Sequence, residues 1–157
     1  MPKTILDTTL LRNFSHIQRP DLLQVALGQD VSTTAAVIAE LKSGVTAGWV
    51  PRCDWSWLPV TTPTEDEQHL AEQYSLVLDP GEAACLAIAS KRAWVFASDD
   101  LAARRLAQHE GVLVSGTLGV LLKLMATCVL TLDEANGFLA IMVSRGYRAS
   151  VKTLGDL

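Results

Sequence analysis

At 157 residues the chain fits one domain with one substantial core, and 49% apolar with 19% charged residues excludes an intrinsically disordered chain. The formal net charge of −4 argues against capture of nucleic acid by a broadly basic surface; local capture at Arg52, Arg92, Arg104, Arg105 and Arg148, or a metal-binding acidic pocket, is compatible with it. The three cysteines, Cys53, Cys85 and Cys128, form no CxxC pair and have no histidine beside them, which argues against structural zinc. The sequence begins without a secretory apolar region. Its longest apolar stretch, Val112 to Val129, is broken by Ser115, Gly116, Thr117, Gly119 and Lys123. No membrane partner and a cytoplasmic location are therefore expected.

In chain order, Thr4 to Leu6 is short and apolar and predicts a buried strand. Leu10, Leu11, Phe14 and Ile17 fall at helical spacing within Thr8 to Ile17. Pro20 starts a short apolar segment, Leu22 to Leu27, ended by Gly28. Gln29 to Ser32 predicts a very short strand, and Thr33 to Leu41 a helix with Val37, Ile38 and Leu41 inward, closed by Gly44. The stretch from Val45 to Thr64 is irregular, with a strand expected at Trp57 to Val60. Helices are predicted for Glu65 to Tyr74, Asp79 to Arg92, Leu101 to His109 with its arginines outside, Gly116 to Ala126, and Thr131 to Ser144. Strands are predicted for Trp94 to Ala97 and Val112 to Val114. Cys85 and Cys128 lie in apolar helical runs and read as reduced core residues. Alternating strands and helices imply a mainly parallel sheet covered on both faces.

In such sheets ligands bind beyond the carboxyl ends of the strands. Asp7 follows the first predicted strand and Asp99 a later one, so both fall at that edge. Glu40 lies on a helix, and Glu82 near the start of another. Carboxylates gathered together repel unless a cation neutralises them, so such a cluster would form a divalent-metal site. Each residue also has a purely structural explanation. Asp7 suits a helix N-cap. Glu40 suits a solvent-facing helix position. Asp79, Pro80 and Glu82 resemble a capping box with Asp at the cap. Asp99 and Asp100 suit a helix start, where negative charge is favoured.

The order Leu-Asp-Thr-Thr-Leu-Leu, Ala-Glu-Leu-x-x-Gly, Asp-x-Gly-Glu-Ala, Ser-Asp-Asp-x-x-Ala-Arg-x-x-Ala and Gly-Val-x-Val-x-Gly-Thr-Leu-Gly-Val-Leu resembles a PIN domain, from Ile5 to about Ser150. The likeness is to a PIN-like subgroup found beside prokaryotic toxin–antitoxin modules, with a Gly-Tyr/Phe-Arg-x-Ser segment here at Gly146-Tyr147-Arg148-Ala149-Ser150. The resemblance implies a single PIN-like domain over residues 1–157, folded as a three-layer α/β/α sandwich with a mainly parallel central sheet. It implies Mg²⁺- or Mn²⁺-dependent cleavage of RNA, with Asp7, Glu40, Glu82 and Asp99 as metal ligands. Asp100 stands beside Asp99 as a catalytic candidate, and Asp79 is the rival of Glu82. Thr8 or Thr9 would hold a water or a phosphate, or cap the helix. The implied setting is the toxin of a toxin–antitoxin pair, with an antitoxin protein as partner and a homodimer as assembly. The alternative is a catalytically inactive PIN-like module that binds protein or RNA.

Two weaker patterns stay open. Ser115-Gly116-Thr117-Leu118-Gly119 is a phosphate-binding helix start or, more simply, a close helix–sheet packing point. Trp49, Trp55 and Trp57 stack on bases, fill the core edge, or meet a partner.

Overall fold

The computed structural model describes residues 2–157. Ile5 and Leu6 have no exposed surface, the mark of a strand covered on both faces. This strand, β1 (Thr4–Leu6), lies inside a four-stranded, wholly parallel sheet of order β2-β1-β3-β4. The others are β2 (Val31–Ser32), β3 (Val95–Ala97) and β4 (Val114–Ser115). Leu6 pairs with Ala97, so β1 and β3 end side by side.

Eight α-helices are found among the described residues. Helices α1 (Thr8–His16) and α2 (Asp21–Leu27) link β1 to β2. The passage from β2 to β3 carries α3 (Ala35–Thr46), α4 (Glu65–Tyr74) and α5 (Pro80–Arg92). Helix α6 (Leu101–His109) leads to β4, which is followed by α7 (Thr117–Ala126) and α8 (Leu132–Ser144). Helices α1 and α2 pack with α7 and α8, whereas α5 packs with α3, α4 and α6. The two groups cover opposite faces, giving the three-layer α/β/α arrangement. Phe14, Leu23, Leu86, Ile88, Phe96, Leu121 and Leu124 fill the two interlayer cores with less than 2% exposure.

The structure corrects several local expectations. Helix α3 runs past Gly44 to Thr46, and the left-handed turn comes at Gly48. Gly44 is a packing glycine, since a Cβ there would lie 3.0 Å from Val50 Cγ2. No strand forms over Trp57 to Val60; Val60 makes a single parallel bridge to Thr33. Cys85 is buried, but Cys128 is exposed in a left-handed conformation after α7, so only one of the two is a core thiol. Trp55 and Trp57 pack partly buried at the core edge with ring centroids 6.0 Å apart, whereas Trp49 is exposed.

One buried ion pair ties the α4–α5 layer together. Glu67, at N3 of α4, closes a capping box with Thr64 and also accepts from Arg92 Nε and Nη2, both at 2.8 Å. Arg92 lies 5.0 Å from the Trp94 ring. The Arg92 guanidinium holds Glu67 below the ordinary carboxylate value of 4.5. A lowered folded-state pKa gives stability that is present above the unfolded value and lost as pH falls through the folded one. Glu67→Gln is expected to cost about 1–2 kcal/mol at neutral pH, on the scale of charge-assisted hydrogen bonds. That corresponds to a melting point several degrees lower, at about 2–4 °C per kcal/mol. Calorimetric melts of both proteins from neutral to acid pH check this, and the gap between them should close only below the ordinary glutamate range.

Candidate functional site

The chain leaves β1 towards β2 on one side, and later crosses to β3 on the other. The carboxyl ends of β1 and β3 therefore border a topological switch point, where an open α/β sheet leaves a crevice. Asp7 extends β1 and Asp99 lies two residues beyond β3, so the sheet itself places both acids at this crevice.

Asp7 is the N-cap of α1 and is fully buried. Its Oδ1 accepts from the Thr9 backbone N–H at 3.0 Å and from Thr9 Oγ1 at 2.5 Å. Its Oδ2 is buried and has no hydrogen-bond partner. Burial raises the Asp7 carboxyl to about 7, and the hydrogen bonds from Thr9, with the Ser98 side chain nearby, offset only part of a rise to which the Asp99 charge adds. Thr9 Oγ1 also accepts from the Asp99 backbone N–H at 2.8 Å, so one hydroxyl couples the ends of two strands.

Asp99 does not cap the helix that follows it; Asp100 occupies that position, without a side-chain cap bond. Instead Asp99 Oδ1 accepts from the Thr117 N–H at the start of α7, at 2.9 Å. Its Oδ2 accepts from Asn13 Nδ2 at 3.0 Å and from the Thr117 hydroxyl. The Ser-Gly-Thr helix start thus holds a protein carboxylate. Gly116 is required by this approach, because a Cβ there would lie 2.7 Å from Asp99 Oδ1. Burial outweighs these donors and raises the Asp99 carboxyl.

Glu40 reaches across from α3. Its Oε2 accepts from Thr8 Oγ1 at 2.6 Å and its Oε1 from the Gly81 N–H at 2.8 Å. A surface role is thereby excluded: Glu40 locks α1 to the start of α5. A Cβ at residue 81 would lie 2.7 Å from both Glu40 oxygens, so glycine there is what admits the carboxylate. Glu82 is buried one residue further on, and burial followed by the charges of Asp100, Asp7 and Asp79 raises it to about 8. Asp79 makes no side-chain cap bond, so the expected Asp79–Glu82 capping box is not closed. Asp79 is exposed at the rim.

Glu40, Asp79, Glu82, Asp99 and Asp100 line one cleft of about 710 Å³, and Asp7 is buried beneath them. The other large cavity, about 680 Å³ and lined by Ile38, Trp55 and Leu58 among others, carries no carboxylate. The sequence-predicted acids are thus brought to one place. Thr8 and Thr9 are committed to Glu40, Asp7 and the Asp99 backbone. Among the described residues no group of three or more His, Cys, Asp or Glu side chains is gathered so that it could hold a metal ion as it stands. The donor chemistry nevertheless suits a hard divalent cation, being all oxygen, and Asp7 Oδ2 is a desolvated carboxylate oxygen lacking any donor.

Sequence pattern gave no role to Arg12, Asn13 or Arg145; Thr117 and Tyr147 lie in the two segments it singled out, Ser115 to Gly119 and Gly146 to Ser150, but their link to Asp99 was not foreseen. Tyr147, on the segment after α8, faces Asp99; burial and the Asp99 charge push its phenol well above the ordinary value. Arg104 was expected outside, but its Nη1 donates to the Ser98 and Ser115 carbonyls at 2.8 Å each. Arg92 is spent on Glu67, and Arg52 lines the other cavity. No helix among the described residues is long and apolar enough to cross a membrane.

No curated protein and no solved structure matches the chain. A family model described as a PIN domain matches residues 3–157. Strand-end acids over a parallel sheet and a match across nearly the whole sequence lead to one conclusion: the chain belongs to the PIN-domain family.

Proposed function

We propose that this protein is a divalent-metal-dependent endoribonuclease whose working site is the acid-floored cleft. PIN domains are generally nucleases, hydrolases that act on nucleic acid with the help of divalent cations. The observation that carries the finer reading is the buried, donor-free Asp7 Oδ2, set beside carboxylates that burial and mutual repulsion make costly to ionise. A fold built for stability alone would not retain that arrangement. The residues that would hold Mg²⁺ or Mn²⁺ are Asp7, Glu40, Glu82 and Asp99, with Asp100 adjoining. Bound there, such an ion polarises the scissile phosphate and lowers the pKa of an attacking water. The chain's own part is orientation. Thr9 fixes Asp7 against the Asp99 backbone, Asn13 and Thr117 fix the Asp99 carboxylate, and Thr8 with Gly81 fix Glu40.

The role of toxin in a toxin–antitoxin pair, with an antitoxin partner and a homodimeric assembly, extends this reading and rests on the sequence pattern ending at Gly146 to Ser150. A second reading, a catalytically inactive module that binds RNA or protein, is favoured by one observation: both Asp99 oxygens are occupied by protein donors.

Asp7→Asn keeps an acceptor for Thr9 and should fold normally by circular dichroism, yet lose Mn²⁺-dependent cleavage of single-stranded RNA by more than about 100-fold. Equal cleavage by wild type and variant would sink the enzyme reading. Added Mn²⁺ at about 100 times its Kd should stabilise the wild type by about 2.7 kcal/mol, or roughly 5–10 °C, and Asp7→Asn should lose that shift. Gly81→Ala, in the first turn of α5, displaces the flexible end of Glu40 from the residue 81 N–H and from Thr8. We expect a loss of about 1 kcal/mol, on the scale of one hydrogen bond, with reduced cleavage; retention of full activity would remove Glu40 from the site.

A further inference from the structure

Eight arginines and five lysines supply the positive charge of this acidic chain. Four of the arginines, Arg12, Arg104, Arg145 and Arg148, line the acid-floored cleft, and no lysine does. None of the four is ion-paired among the described residues, whose salt bridges are Arg19–Asp21 and Arg92–Glu67. The carboxylates of the floor are therefore not closed into ion pairs with the cations of the walls, and only the Arg104 charge partly offsets the rise at Asp99.

Their placement divides them. Arg104 is anchored by the Ser98 carbonyl just past β3 and the Ser115 carbonyl at the end of β4, so it is part of the framework beside Asp99. Arg12, Arg145 and Arg148 are exposed. Arg12 projects from α1, Arg145 is the C-cap of α8, and Arg148 follows three residues later. Arg12 and Arg145 come from different elements yet line the same cleft, and neither is paired with an acid. Exposed cations without an acidic partner add little to the stability of the fold. They are suited to an anionic ligand.

The residue type narrows the ligand. Guanidinium is a planar fork that matches phosphate oxygens in pairs, which ammonium cannot do. Several such forks beside a floor of carboxylates suit a chain of phosphates. We infer that Arg12, Arg145 and Arg148 are positioning residues that grip the sugar–phosphate backbone of single-stranded nucleic acid beside the nucleotide over the acidic floor. This rests on the reading of the cleft as a nucleic-acid site. Phosphate contacts set register without reading sequence, so the grip is sequence-independent. The segment after α8 acts as one wall of the substrate channel, with Tyr147 seating it against Asp99.

The test is a salt titration of binding by the full chain in EDTA, read by anisotropy of short fluorescein-labelled oligouridylate and oligoadenylate. Each phosphate contact on a single strand contributes about 0.7 to the slope of log affinity against log salt. Arg12→Gln, Arg145→Gln and Arg148→Gln should each reduce the slope by about 0.7 and weaken both RNAs by a similar factor. Arg105→Gln, exposed on α6 and outside the cleft, should leave the slope unchanged. Unchanged slopes in the three cleft variants would overturn the inference, as would an equal drop in Arg105→Gln. Displacement of the RNA by an equal charge concentration of polyglutamate would overturn it in favour of an acidic protein ligand. Cleavage by the same samples in Mn²⁺ separates the two readings. Slopes that shift in a protein that never cleaves sink the nuclease and keep the grip, whereas cleavage with unshifted slopes does the reverse.

Discussion

The carboxylate of Asp7 is the constraint around which the rest is arranged. It must cap α1 through one oxygen, at the point where β1 ends inside the protein, and it leaves the other oxygen buried without a donor. Burying a carboxylate in this way is expensive, and burial accordingly raises its pKa to about 7. The hydroxyl that relieves the capping oxygen, Thr9, is the same one that receives the Asp99 backbone N–H. The first strand and the third are thus joined at the site by side chains as well as by the sheet.

Around that point the protein gives up stability in several small ways. Three acids, Asp7, Glu82 and Asp99, have raised pKa values, each with burial as the leading cause. Two glycines, Gly81 and Gly116, stand where a methyl group would collide with Glu40 or with Asp99 and Arg104. The framework that tolerates this is the conventional part of the molecule: the apolar layers on both faces of the sheet, and the capping-box and ion-pair tie at Glu67.

The cleft has two chemistries that do not cancel. Carboxylates form its floor and guanidinium groups its walls, yet no salt bridge joins them among the described residues. Ion pairing would be the cheapest arrangement for isolated charges. With Arg104 tied to backbone carbonyls rather than to Asp99, both signs stay outside ion pairs, which is what the proposed grip on a phosphate chain requires.

Local pattern was enough to read the layer architecture, the parallel sheet and the strand-end position of Asp7 and Asp99, because apolar periodicity and strand ends are encoded within a few residues. Helix limits at Gly44 and the supposed strand at Trp57 to Val60 were misread, because packing against Val50 and Thr33 decided them. The family resemblance, and not physical pattern, linked Glu40 and Glu82 to the strand-end acids. Sequence alone left each acid with an adequate explanation as a cap or a surface residue. Only the tertiary structure showed that Glu40 reaches the Gly81 N–H and Thr8, that Asp99 caps α7 rather than α6, and that four unpaired arginines share the acids' cleft. The reason is separation along the chain: these contacts join residues far apart in sequence, and their meeting depends on the strand order, which no local periodicity records.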